Sequence, residues 1–334
     1  MLCGLSLLPA KRAMSGFKYT NQPLSYKLAM QVGDLLRQAQ IPHVLWGDKM
    51  FDLLLLNKNV EASTQTNTFI LQTLTLTQTL DFVIPDHLMD NAIRVLREAD
   101  FQDKIESLQN KNCRWLKNKQ ETVRPLTPWP YHWFHLHPEP PCKDAYCQGH
   151  CGRSVRLYLR CHADLVLHRK SDCLWSFPDF TLKNPDYNDS NYMLANDPRL
   201  PETEPGDLGR IPDPDCRLQI LTPARYIESI IALRARDWLT TDQGEHWYRI
   251  LLRIFNTHKN RPIPGRCALL GPLLLREPFR KWWSLFLKDV PPFDRDLAVA
   301  HLHEIEAGFV ELREVLMREG ALPETPFTWA LESV

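Results

Sequence analysis

The sequence lacks an excess of charge of either sign, and it lacks any long apolar run. Its 40 basic and 40 acidic residues cancel to a formal net charge of zero. A protein that coats nucleic acid needs a basic surplus to neutralise phosphates, so general nucleic-acid binding is not expected. No stretch approaches the ~20 apolar residues that a membrane helix needs, so membrane association is not expected either.

Short motifs that mark several enzyme classes are also missing. The chain contains no P-loop, no dinucleotide-binding glycine fingerprint and no nucleophile elbow. It has nine cysteines, an odd number, and its apolar first residues precede Lys11 and Arg12, which is the reverse of a secretory signal. We therefore expect reduced thiols and a cytoplasmic or nuclear location.

Helical and strand patterns alternate through the first half of the chain. Apolar residues recur at helical spacing in residues 25–40 and 86–99, with a further short helix expected at 49–56. Short apolar strands are expected at 41–46, 80–84 and 154–169. This order of strands and helices predicts an α+β core over residues 25–178, after a poorly ordered segment 1–24. Candidate insertions in that core are residues 57–79 and 138–153.

The second half of the chain has a different composition and a different pattern of apolar residues. Residues 179–216 are acidic and rich in proline, which predicts an exposed connector. Residues 217–334 predict a helical C-terminal region, in which Thr222 is a candidate N-cap before Pro223. The helices expected there cover residues 223–238, 243–255, 277–287 and 294–318.

Candidate catalytic carboxylates lie in two of the predicted strands. Two carboxylates at positions i and i+2 of a strand share a face and can bind divalent metal ions together. Asp81 occupies one such position, but Thr79 stands at the other, and a hydroxyl is a weaker Mg²⁺ ligand than a carboxylate. Asp164 is the best third carboxylate because it lies in the later strand, and Asp172 is the alternative.

Four stretches, taken in order, resemble a group of fungal nucleotidyltransferase-like proteins of unassigned function. They are residues 41–47, 81–101, 168–178 and 218–237. The resemblance implies an α+β nucleotidyltransferase-like mixed sheet flanked by helices and followed by a helical C-terminal region. It also implies a nucleoside triphosphate ligand and Mg²⁺, with Asp81 and Asp164 as metal-binding carboxylates and Gly47 and Asp48 beside the triphosphate. Arg225 is a candidate phosphate contact, since the arginine fork suits phosphate.

The broken carboxylate pair leaves two functions open for such a fold. Thr79 favours a nucleotide-binding or catalytically degenerate protein, a pseudoenzyme, over an active Mg²⁺-dependent nucleotidyltransferase acting on an unknown acceptor. Each residue also has an ordinary interpretation: Gly47 as a turn glycine, and Asp81 and Asp164 as solvated strand charges. Whether the chain is an enzyme therefore stays open at this point.

A third hypothesis rests on a cluster of cysteines and histidines. Thiolate and imidazole are preferred ligands of Zn²⁺, four at a time in a structural site. The spacing here is irregular, so a polar loop with reduced thiols is the alternative. If zinc binds, it would stabilise a protein-interaction module through His137, Cys142, Cys147 and Cys151.

Overall fold

The structure, a computed structural model, describes residues 16–54, 78–103, 130–136, 163–238, 241–260, 269–288 and 295–324. The strands of these residues form one seven-stranded mixed sheet in the order β3-β4-β5-β2-β1-β7-β6. In chain order they are β1 Val44–Trp46, β2 Gln78–Ile84, β3 Gln102–Asp103, β4 His132–Leu136, β5 Ala163–Arg169, β6 Tyr192–Leu194 and β7 Gln219–Leu221.

The three central strands determine how the site is arranged. Strand β2 runs antiparallel to β1 and parallel to β5, and all seven residues of β2 pair with the seven residues of β5. Paired residues on neighbouring strands point to the same side of a sheet, while successive residues of one strand alternate. The register therefore assigns every side chain of these strands to one of two faces.

One face of the sheet, here called the apolar face, carries large apolar side chains. Its buried members include Leu45, Leu80, Phe82, Leu165 and Leu167. The opposite side, here called the carboxylate face, carries polar groups among its apolar residues. Its members include Trp46, Thr79, Asp81, Asp164 and His168.

Helices cover both faces of the sheet. In chain order they are α1 Tyr26–Gln38, α2 Asp48–Leu53, α3 Met89–Glu98, α4 Lys170–Cys173, α5 Pro223–Arg236, α6 Thr241–Asn260, α7 Phe279–Phe286 and α8 Arg295–Arg318. Helix α1 lies over the apolar face, where Gly33 is next to His43. Helices α5 and α6 reach the carboxylate face, because Tyr226 and Trp247 contact the Trp46 ring.

The C-terminal helices pack around buried tryptophans. The indole nitrogens of Trp282 and Trp283 donate to the carbonyl oxygens of Ile305 and Leu270, each at 3.0 Å. Phe309 of α8 lies 5.3 Å from the Trp282 ring centre. The predicted α+β class with a helical C-terminal region is confirmed. None of the helices in the described part of the chain is both long and apolar enough to cross a bilayer.

Residues 179–216 differ from the exposed connector that their composition predicts. They contribute strand β6, which pairs antiparallel with β7 and completes one edge of the sheet. Phe180, Leu200 and Ile211 are buried. These apolar side chains are spaced among acidic and proline residues, so the average composition of the segment hides them. The sheet consequently extends past residue 178, where the sequence alone suggests that the core ends.

The predicted N-cap of α5 differs from expectation, whereas α1 has a side-chain cap. The Ser25 hydroxyl accepts a hydrogen bond from the Leu28 backbone N–H at 3.2 Å and caps α1. Thr222 occupies the N-cap position of α5, but its hydroxyl donates to the Ser190 carbonyl oxygen at 3.0 Å instead of capping the helix. The tertiary contact with residues 189–191 competes for the hydroxyl that the local sequence assigns to the cap.

Candidate functional site

The register brings the predicted strand carboxylates onto one face. Asp81 pairs with Val166 of β5, and Thr79 pairs with Asp164, two residues earlier on each strand. Asp164 is therefore the diagonal neighbour of Asp81 on the carboxylate face, with Thr79 directly opposite Asp164. The register thus places Thr79, Asp81 and Asp164 together on one face of the sheet.

Asp81 is the most constrained member of the site. Its side chain is buried, with the whole residue only 2% exposed. The Thr79 hydroxyl donates to Oδ2 at 2.6 Å, and the His168 ring nitrogen Nε2 contacts Oδ1 at 3.0 Å. Both carboxylate oxygens are thus hydrogen-bonded within the protein. The interpretation of Asp81 as a solvated surface charge is wrong.

His168 is the functional neighbour that sequence reasoning did not identify. It lies in β5, four residues after Asp164, so strand alternation places it on the carboxylate face. Burial lowers its pKa, but the neighbouring Cys173 sulfur and the Asp81 carboxylate outweigh burial and raise the pKa to about 10. His168 is therefore protonated at neutral pH, and it forms a buried ion pair with Asp81.

Gly47 lies against the Asp81 carboxylate. It follows β1 and precedes α2, with φ of 69° and ψ of −139°, which an L side chain rarely adopts. A Cβ atom at this position would lie 2.7 Å from both Cγ and Oδ2 of Asp81. Its carbonyl oxygen accepts a hydrogen bond from the Tyr226 hydroxyl at 3.3 Å. Gly47 is required by this close approach, and not only by the turn.

Aromatic rings close the site on the helical side. Trp46 lies edge-to-face with the His168 ring, with centroids 5.5 Å apart, and with the Tyr226 ring at 6.5 Å. The Trp247 ring centre of α6 is 6.0 Å from that of Trp46. Among the described residues, no acceptor is within hydrogen-bonding distance of the buried Trp46 Nε1. The Asp81–His168 pair is consequently enclosed by aromatic side chains.

The other predicted site residues are placed as follows. Asp164 is half-buried in β5. Asp48 is the first residue of α2, and its side chain lies outside the described atoms. Burial raises the pKa of Asp172, the alternative third carboxylate, and its backbone carbonyl accepts from Arg236 at 2.5 Å. Asp172 lies in the short helix α4, whereas Asp164 lies directly on the sheet face.

Arg225 has a structural partner where the sequence suggested a phosphate contact. Its guanidinium forms a buried ion pair with Glu228, one turn later in α5. Glu228 in turn accepts from Arg276 Nε at 2.8 Å, while Arg225 also donates to the Ser190 carbonyl oxygen at 3.3 Å. The arginine connects α5 to neighbouring segments, and its positive charge is paired with a carboxylate inside the fold.

The proposed zinc ligands cannot be located. His137, Cys142, Cys147 and Cys151 all lie outside the described residues, and the zinc hypothesis stays a prediction. Within residues that are described, no group of three or more histidine, cysteine, aspartate or glutamate side chains is arranged to hold a metal ion.

The donor set around Asp81 does not fit the two-metal arrangement. A shared divalent ion needs carboxylate oxygens that face it, and here Thr79 and a protonated His168 engage both oxygens of Asp81. The present geometry holds a buried ion pair beneath a glycine turn.

Comparisons with family models, with curated proteins and with solved structures found no match to this chain.

Proposed function

We propose that the chain is a divergent nucleotidyltransferase-like protein that binds a nucleotide without Mg²⁺-dependent transfer. One observation carries the proposal. Asp81, the carboxylate on which the metals would depend, has both oxygens hydrogen-bonded to Thr79 and His168 at 2.6 and 3.0 Å. A strand carboxylate committed in this way stabilises the fold instead of binding metal ions.

The layout of the central sheet supports the nucleotidyltransferase-like part of the proposal. A strand leads into Gly47 and a short helix, and the next strand is antiparallel and presents Asp81 against that glycine. A third strand, parallel to the second, carries Asp164 on the same face. This order of strand, glycine turn, carboxylate strand and second carboxylate strand is the one that the resemblance implies.

The alternative of an active transferase has one observation in its favour. Thr79, Asp81 and Asp164 share the carboxylate face, so a single change at residue 79 would place three carboxylates together. We propose that Thr79 is one of the two residues, with His168, that separate this chain from metal binding. The substitution Thr79→Asp is then a gain-of-function test, with Thr79→Asn as its uncharged control of similar shape.

Titration calorimetry with each nucleoside triphosphate, with and without Mg²⁺, tests the proposal. We expect the wild-type protein to bind at least one triphosphate with an affinity that Mg²⁺ leaves unchanged within about twofold, which is under about 0.5 kcal/mol. Thr79→Asp should acquire Mn²⁺ binding, measurable by electron paramagnetic resonance, while Thr79→Asn should not.

Two results would overturn parts of the proposal. Mg²⁺-dependent binding that disappears in Asp81→Asn, but persists in a control at the exposed Asp90 (Asp90→Asn), would support an active metal site instead. Binding of no triphosphate under either condition would contradict the nucleotide-binding function. Circular dichroism of each variant establishes that the comparison is made between folded proteins.

A further inference from the structure

Helix α8 exposes an unusual share of the apolar surface. Among the described residues, nine large apolar side chains are exposed, and five of them lie on this one helix. Four of the five, Val299, Leu302, Val310 and Met317, fall within about 80° of one another around the axis at 3.6 residues per turn. Their exposed fractions are 45%, 51%, 42% and 53%. These four residues are here called the α8 stripe.

The stripe is separate from the face with which α8 packs on its own chain. That face is formed by Ile305, Phe309, Leu312 and Leu316, all of them buried. The stripe borders it on the solvent side and runs along most of the 24-residue helix. Glu306 and Arg313 lie between its members, so the stripe is an apolar sector of the helix surface interrupted by two charges.

Two charges lie within the stripe and are held in place by α5. Arg234 donates to Glu306 Oε1 at 2.9 Å, and Arg313 Nε donates to the Ala235 carbonyl oxygen at 2.9 Å. A guanidinium has five N–H donors, so Arg313 can bond to a further acceptor, and the second oxygen of Glu306 can accept. The charges are opposite in sign and are seven positions apart, which is close to two helical turns.

We propose that the α8 stripe is a self-docking surface on which α8 of a second copy packs antiparallel across a two-fold axis. In the register that sets Leu302 opposite Met317 of the second copy, Glu306 falls opposite Arg313. Each contact then occurs twice, as an isologous interface requires. The axis passes between Phe309 and Val310, so Val310 lies close to its own counterpart.

The size of the surface sets the strength of the association. Standard stable interfaces bury about 1,200–2,000 Å², and a single pair of helices lies at or below the low end. The dimer is therefore weak and concentration-dependent, with dissociation in the micromolar range. This inference does not depend on the proposed nucleotide-binding function, since none of its residues belongs to the Asp81 site.

Sedimentation velocity of the full chain, from low-micromolar to several-hundred-micromolar concentration, measures the association. Val310→Glu should weaken it by at least about tenfold, because two like charges then meet near the axis. Leu297→Glu is the matched control, since Leu297 is 52% exposed on the same helix but about 140° from Val310. It should leave the association unchanged.

Mixing two variants tests the symmetry directly. Val310→Glu and Val310→Lys should each be monomeric, and their equimolar mixture should associate again because opposite charges now meet at the axis. A wild-type chain that stays monomeric at every concentration would overturn the proposal. An equal effect of Leu297→Glu, or a mixture that stays monomeric, would overturn it as well, since another segment or a different partner would then cover the stripe. Unchanged thermal unfolding of the single variants ensures that they are folded.

Discussion

Among the described residues, each face of the central sheet buries a histidine, and the pKa values of these two histidines are shifted in opposite directions. On the apolar face, His43 lies edge-to-face with Phe82 at 5.5 Å and uses its Nδ1 to contact the Ile41 carbonyl oxygen at 2.9 Å. Burial lowers its pKa to about 4. On the carboxylate face, His168 has a pKa of about 10, because Cys173 and Asp81 outweigh an equally strong burial.

The difference shows that burial alone does not decide the charge of a side chain. Both rings are nearly inaccessible, so desolvation disfavours the protonated form in each. What differs is the partner: a neutral backbone carbonyl for His43 and a carboxylate for His168. One face of the sheet is held mainly by apolar packing, while the other contains an ion pair enclosed by aromatic rings.

Removing the Asp81 carboxylate should have the largest effect on the difference between the two faces of the sheet. Asp81→Ala leaves a buried imidazolium and the Thr79 hydroxyl without their acceptor, and breaking a buried pair in this way costs about 3–5 kcal/mol. Urea unfolding, followed by circular dichroism, gives the free energy of unfolding. The variant His168→Leu combined with Asp81→Ala should recover part of the loss. A loss below about 1 kcal/mol for Asp81→Ala alone would argue against a buried ion pair, since surface pairs contribute that little.

Adding a methyl group beside the pair should have the next largest effect. Gly47→Ala combines an unfavourable backbone conformation with a Cβ atom 2.7 Å from the Asp81 carboxylate, and should cost more than the ~1–3 kcal/mol of strain alone. Gly320→Ala is the control, because Gly320 also has a positive φ of 66° but nothing within 4 Å of its Cβ position. Thermal unfolding of the two variants separates the effect of the close contact with Asp81 from the effect of backbone strain. Equal losses of stability in the two variants would mean that the contact with Asp81 contributes nothing.

The pH dependence should have the smallest effect on the free energy of unfolding per pH unit. The sign of this dependence should differ between the two faces of the sheet. A histidine in the unfolded chain has a pKa of about 6.5, and one proton changes stability by at most about 1.4 kcal/mol per pH unit. The folded pKa of His168 is raised, so its contribution is present below pH 6.5 and is lost as pH rises through 10. The folded pKa of His43 is lowered, so its contribution is present above pH 6.5 and is lost as pH falls towards 4.

Urea unfolding at several pH values distinguishes the contributions of the two histidines to the free energy of unfolding. His168→Gln should flatten the alkaline side of the wild-type stability profile. His43→Gln should flatten the acid side instead. If His168→Gln leaves the alkaline side unchanged, or His43→Gln leaves the acid side unchanged, the assignment of charge to the two faces is wrong.

Much of the local structure follows from the sequence. Helical periodicity predicted α1, α3 and the four C-terminal helices, and the short apolar run 80–84 predicted β2. Gly47 was expected at a turn and is found there. Strands β3, β4, β6 and β7 were not predicted, because each has five residues or fewer and carries too little pattern. Strand β7 lies at the start of the region that was predicted to be helical.

The partners of the site residues could not be predicted from the sequence. Asp81 and His168 are 87 positions apart, and they meet only because β2 and β5 pair in parallel with a particular register. Arg225 shows the same limit in part. Its ion pair with Glu228 lies within one turn of α5, but its hydrogen bond to the Ser190 carbonyl oxygen depends on packing between segments. A one-residue slip of the β2–β5 register would turn His168 to the apolar face, because strand side chains alternate.

By itself, the sequence determined most of the helices, the strand around Asp81 and the residue types that they offer, since these depend on periodicity and on neighbours within a few positions. Only the tertiary structure decided that Asp81 binds a histidine and a threonine, and that Gly47 lies against it. Those contacts depend on strand order and register, which arise from the packing of the whole sheet between its helices.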